Sequence, residues 1–172
     1  MDAGELAVRR HQERRGDLSL VGGSSWRTIN ASVNQAWLAI QDIARYQHML
    51  PLLQSAERVS GDGSDGVYRM RHRQGPVRVR YYLRMQFDDA TRTMRFRLED
   101  GRENDLRAAW GYVQVQPWGS RGTLFSWGVM ADFGSGVISG LMRPLVQRWM
   151  LRIPSTFKDY LEGWGRRNYP SS

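Results

Sequence analysis

The sequence predicts an α+β fold: a curved antiparallel sheet of about seven strands closed by one long C-terminal helix. The first observation is alternation in VRVRYYLRMQFD. Val77, Val79, Tyr81, Leu83, Met85 and Phe87 fall on one face of an extended chain, Arg78, Arg80, Tyr82, Arg84 and Gln86 on the other. The second is a set of turn-forming breaks, GDGSDG (61–66), QGP (74–76), DDATRT (88–93), GREND (101–105) and PWGSRG (117–122), which divide residues 54–133 into short runs. The third is an apolar stripe between Gly140 and Trp164, recurring at helical spacing through Trp149, Ile153, Phe157 and Leu161.

Each element follows in order. Residues 1–17 carry four Arg against four acids and no sustained apolar face, so they read as a polar tail or short peripheral helix. A first strand spans about 18–30. A helix follows Ser32, whose hydroxyl caps Gln35 while Gln35 reaches back. A second short helix runs to Pro51. Strands are expected at about 54–60, 67–73, 77–88, 94–100, 106–116 and 123–133. FGSG (133–136) leads into the terminal helix, which Pro154 kinks by removing a hydrogen bond. The expected domain is 18–165, with a short tail at 166–172.

With 172 residues the chain suits one domain burying ~70% of its unfolded surface. No window reaches the ~18 apolar residues of a membrane span. Glu5 and the Arg9-Arg10 pair interrupt the short apolar run of the N-terminus, so no secretory signal is read and a cytoplasmic address is expected. Without cysteine there is no disulfide, thiol nucleophile or thiolate site. His11, His48 and His72 have no zinc-like spacing; neither metal nor cofactor is expected. GDGSDG matches G-x-G-x-x-G in letters only: a strand follows it, and Asp62 and Asp65 would repel a pyrophosphate.

The net charge of +8 is concentrated, since residues 69–97 hold nine Arg against Asp88 and Asp89. Arg69, Arg71, Arg73, Arg78, Arg80 and Arg84, followed by Arg95 and Arg97, share the outer face of successive hairpins. Like charges on neighbouring strands are unfavourable, so an anionic counter-surface such as acidic phospholipid would relieve them. The bland alternative is a solvated face partly neutralised by Glu57 and Glu99. Nucleic acid is disfavoured because that face offers mainly Tyr82 for stacking.

The segment from Trp37 through Asp42, Arg45-Tyr46 and Leu50-Pro51, continued by residues 55–60, resembles the W…D…RY…LP signature of the START-like superfamily (SRPBCC, or Bet v 1-like). Residues 111–117 and 122–124 are similar to its late hairpin, and Arg143-Pro144-Leu145 through Leu161 to its terminal helix. The similar branch is that of polyketide cyclase/dehydrase and Coq10-like proteins. The resemblance spans about 18–164 and implies a helix-grip fold with a pocket beneath the helix. The implied function is carriage or sequestration of a hydrophobic small molecule: a lipid, quinone or polyketide-like compound. One alternative is a cyclase or dehydratase in which His72 and Tyr81 assist ring closure. Another is a Coq10-like quinone chaperone, or a partner-binding module using the Arg face, peripheral to a membrane.

Candidate lining residues on the first strands are Tyr68, Met70, His72, Tyr81, Leu83 and Phe96. Trp110 and Trp127 join them from the last two strands, and Trp149, Ile153 and Phe157 from the helix. Periodicity leaves one face open, because Trp110 and Tyr112 oppose Val113 and Val115. Asp42, Arg45 and Tyr46 are expected to fix the short helices. The oligomeric state is not legible.

Overall fold

Eight antiparallel strands form one sheet in the order β1-β2-β8-β7-β6-β5-β4-β3 in the computed structural model. It describes residues 5–50, 52–75, 77–120, 122–134 and 142–170. The strands are β1 (Ala7–Arg15), β2 (Leu18–Ile29), β3 (Leu53–Gly61), β4 (Asp65–Gln74), β5 (Val77–Asp88), β6 (Thr93–Leu98), β7 (Ala108–Trp118) and β8 (Gly122–Asp132). Helices α1 (Val33–Gln41), α2 (Arg143–Leu151) and α3 (Ile153–Glu162) are joined by 3-10 turns at Ile43–His48 and Trp164–Asn168. Pro51, Pro76, Arg121, the side chain of Val77 and the glycine-rich hinge after Gly134 lie outside the described residues.

The hairpin order and the Ser32–Gln35 capping box stand as expected: Gln35 N donates to Ser32 Oγ and Ser32 N to Gln35 Oε1, each at 3.1 Å. GDGSDG is a hairpin turn, because the Asp62 carboxylate accepts N–H bonds from Ser64 at 2.8 Å and Asp65 at 3.0 Å. Those backbone donors hold the Asp62 carboxyl down at about 2.

Three places differ from the sequence reading. Residues 7–15 are the eighth strand rather than a tail or helix, paired to β2 along nine consecutive positions. As an edge strand β1 is wetted on both faces, so no apolar alternation marks it. The terminal helix is broken, not merely kinked. Pro154 cannot donate, and its ring would meet the carbonyl four residues back. The first helix therefore stops at Leu151 and a second begins with Ile153-Pro154. Finally, residues 166–170 do not trail. Tyr169 is buried, its hydroxyl donating to Asp42 Oδ2 at 3.0 Å and its carbonyl accepting from Gln35 Nε2 at 3.1 Å. Trp164, expected on the buried stripe, is half exposed beside His48.

Helices α2 and α3 lie across β2 and β8. Gln147 of α2 anchors that side, donating to the carbonyls of Gly22 at 2.7 Å and His11 at 3.2 Å. These helices pack chiefly on β2 and β8 and touch β4–β6 little. Two straight segments meeting at a proline break cannot follow a curved sheet everywhere, and a space remains.

Candidate functional site

That space is a cavity of about 400 Å³. Its floor is the inward alternation of β4–β8, and its roof is α2 and α3 with Trp149, Ile153 and Phe157. Of the predicted lining residues, Met70, His72, Tyr81, Leu83, Phe96 and Trp127 lie in its wall together with those three helical residues. Two do not. Tyr68 is buried in the core but away from the cavity. Trp110 is on the opposite, convex face, because register pairs it with Arg97 and Met130, while Val113 and Val115 point inward. Arg15 of the unforeseen edge strand lies 5.7 Å from the Trp110 ring centroid. The alternation of β7 is symmetric enough that only the partner strands choose the face.

The sequence reading missed the small and flexible members. Met85, Met94, Ala109, Val129 and Ala131 complete the floor, and nothing but strand parity marks them. Gly111 makes room for Phe96: a Cβ there would stand 2.4 Å from Phe96 Cζ. The Phe96 ring then stacks on Trp127, with centroids 5.3 Å apart and planes 22° apart.

The wall carries few polar groups. His72 Nε2 and the Tyr81 hydroxyl are 2.8 Å apart, with their rings nearly parallel at 12°. Burial pushes the Tyr81 phenol above its ordinary pKa, so at neutral pH it remains a proton-bearing donor. Tyr46 also borders the cavity, but its hydroxyl is spent on Ile40 O at 2.5 Å. The indole N–H of Trp127 is buried without a hydrogen-bond partner among the described residues. His48 is exposed on its 3-10 turn and His11 on the edge strand, so the three histidines are apart. Arg45 pairs with Asp42 at 3.1 Å, and Asp42 in turn holds Tyr169.

Of the lining residues, Leu52, Arg73, Gln74 and Met142 are exposed, so the cavity meets solvent among them. On the convex side, Arg71 faces Arg80, Arg73 faces Arg78, and Arg84 faces Arg97 across the strands. Carboxylates relieve part of this repulsion. Glu57 pairs with Arg69, Glu103 with Arg80 at 3.1 Å, and Asp100 with Arg97 at 3.7 Å. Arg84 is held by both Asp65 and Glu99 at 2.9 Å. Arg71, Arg73, Arg78 and Arg95 have no carboxylate within 4 Å among the described residues. With Trp110 and Tyr112 outward, this face holds more aromatic surface than Tyr82 alone.

One curved sheet gripping a C-terminal helical segment over an apolar cavity defines a helix-grip, START-like protein. The chain belongs to the polyketide cyclase / dehydrase and lipid transport family, whose model matches residues 29–153. A search of curated protein sequences returned no match. Among solved structures it is similar to the Zhui aromatase/cyclase from Streptomyces sp. R1128, at 13% identity and TM-score 0.68, covering 95% of this chain and 96% of that one. A STAR-related lipid transfer protein from Xanthomonas axonopodis has 12% identity and TM-score 0.68, covering 94% and 99%. TTHA0849 from Thermus thermophilus has 22% identity and TM-score 0.67, covering 84% and 94%. At these identities the likeness is one of fold. Family and cavity together support hydrophobic-ligand binding or cyclase-type function. No described helix is long and apolar enough to cross a membrane.

Proposed function

We propose that the protein binds one hydrophobic small molecule in this cavity and carries or sequesters it. The observation that carries the reading is the cavity itself, about 400 Å³ and bounded almost wholly by aliphatic, methionine and aromatic side chains. Its volume lies within the range of small-ligand sites. Burial of apolar surface supplies the affinity, and a few polar groups orient the molecule. An acceptor oxygen on the ligand would reach the buried Trp127 Nε1–H only through a shift of that ring. A second oxygen would meet the His72–Tyr81 pair. The fitting ligand class is a compact, largely apolar molecule bearing one or two carbonyl or hydroxyl oxygens.

The 2.8 Å His72–Tyr81 contact favours a second reading, a cyclase or dehydratase. With Tyr81 donating to His72 Nε2, the neutral imidazole carries its proton on Nδ1. Nδ1–H would then polarise a ligand carbonyl, and a proton taken up by the Tyr81 oxygen would displace the phenolic proton onto His72 Nε2, leaving an imidazolium. Native mass spectrometry of freshly purified protein, followed by extraction, identifies retained cargo. His72→Gln separates the readings. An enzyme loses about 100-fold or more in turnover with affinity nearly kept. A carrier changes affinity and turns over nothing in either form. A shift confined to melting temperature would assign His72 to the fold and remove it from both readings.

A further inference from the structure

We propose that the cavity mouth docks on an anionic lipid bilayer, inserting Leu52 and Met142 while Arg71, Arg73 and Arg78 meet the headgroups. The proposal rests on the ligand-carrier reading and gives the carrier its point of exchange.

Three observations meet at one end of the molecule. Leu52 and Met142 both border the mouth and are large apolar side chains left 39% and 40% exposed. Leu52 also has φ +63°, a left-handed conformation that costs a branched side chain of order 1–2 kcal/mol. The fold thus holds an aliphatic group half in water through a strained backbone, with its carbonyl accepting from Arg73 N at 3.1 Å. The third observation is charge. At the tip of the β4–β5 hairpin Arg73 faces Arg78, and neither these two nor Arg71 has a carboxylate partner within 4 Å among the described residues. Farther along the same strands, Arg69 and Arg84 are neutralised by Glu57, Asp65 and Glu99. Nearby acids on the 99–107 loop are committed: Glu103 pairs with the Arg80 guanidinium, and Asp105 accepts from Arg80 N at 2.6 Å.

Cations beside exposed aliphatic groups fit an acidic membrane, where each Arg near the surface contributes about 1 kcal/mol and inserted apolar area adds to it. A nucleic acid would want aromatic platforms, and Leu52 and Met142 offer none.

Co-sedimentation with mixed phosphatidylcholine–phosphatidylglycerol vesicles tests this. Binding should exceed that to pure phosphatidylcholine and weaken from low to physiological salt. Arg71→Gln/Arg78→Gln should lower partitioning about 25-fold, fivefold per charge, while N-phenylnaphthylamine binding without vesicles is kept. Leu52→Asn/Met142→Gln should lower it at least about fivefold, Asn being tolerant of the left-handed backbone. Arg95→Gln, away from the mouth, should change it less than about twofold. Equal sedimentation with both vesicle types overturns the proposal. So does Arg95→Gln matching the hairpin pair, or no effect of the Leu52/Met142 change. Vesicle binding by a protein whose cavity takes no apolar probe would keep the docking surface and remove carriage, so the two readings fail separately.

Discussion

The concave and convex faces of β4–β8 are made by alternate residues of the same strands, yet they obey different rules. On the concave side Met70, Leu83, Met85, Met94 and Val113 are buried, and identity is set by volume. On the convex side arginines confront one another across the strands, and carboxylates from β3, β4 and the 99–107 loop decide which are neutralised. The concave face tolerates a void because a broken helix cannot fill it. The convex face tolerates like-charge pairs because water screens them. Function should therefore respond to shape on one side and to charge and salt on the other.

Two glycines test that contrast most sharply, each lying beneath an aromatic ring on opposite faces. A Cβ at Gly111, on the concave face, would stand 2.1 Å from the Gly128 carbonyl oxygen and 2.4 Å from Phe96 Cζ. The backbone cannot yield there, and Gly111→Ala is expected to cost about 3 kcal/mol, at the upper end of overpacking penalties. At Gly128, on the convex face, the obstacle is the Tyr112 side chain, with Cε1 at 2.4 Å. That ring can swing toward solvent, so Gly128→Ala should cost only about 1 kcal/mol. Urea unfolding of both variants checks the difference, and equal losses would break the comparison.

Filling the void is the next largest effect. Ile153 roofs the cavity, and Ile153→Trp should lower N-phenylnaphthylamine affinity by tenfold or more while costing under about 1 kcal/mol of stability. In a closed core the same change would overpack by ~1–3 kcal/mol. A loss of that size, with no probe binding by the parent protein, would show the helices seated on the sheet and remove the small-molecule reading.

The convex face should give smaller, pH-sensitive effects. Arg84→Gln breaks pairs to Asp65 and Glu99 and should lower the melting temperature slightly, whereas Arg95→Gln, with no such pair, should leave it unchanged. Hydrogen bonds and adjacent arginines lower the carboxyl pKa of Glu57, Asp65 and Glu99, and backbone donors lower that of Asp62 to about 2. A lowered folded-state pKa stabilises above the unfolded value and is lost as pH falls through the folded one. The melting temperature should thus fall between about pH 5 and pH 2. Asp62→Asn should be less stable than the parent at neutral pH and converge with it near the acid end.

Residue periodicity alone determined most of the sheet, the capped first helix and the apolar underside of the terminal helix. Alternation and capping are local, and each needs only a few neighbouring residues to declare itself. Most of the cavity wall was legible for the same reason, since Met70, His72, Tyr81, Leu83 and Phe96 sit in clear period-two runs. Tertiary structure decided what depends on partners distant in sequence. β1 has no alternation of its own and exists as a strand through pairing with β2. Trp110 and Val113 exchange faces relative to the expectation for Trp110 because β6 and β8 fix the register of β7. Tyr169 is drawn in by Asp42, 127 positions earlier. Whether an arginine is neutralised or left for a partner likewise depends on which loop brings a carboxylate to it, and strand parity carries no record of that.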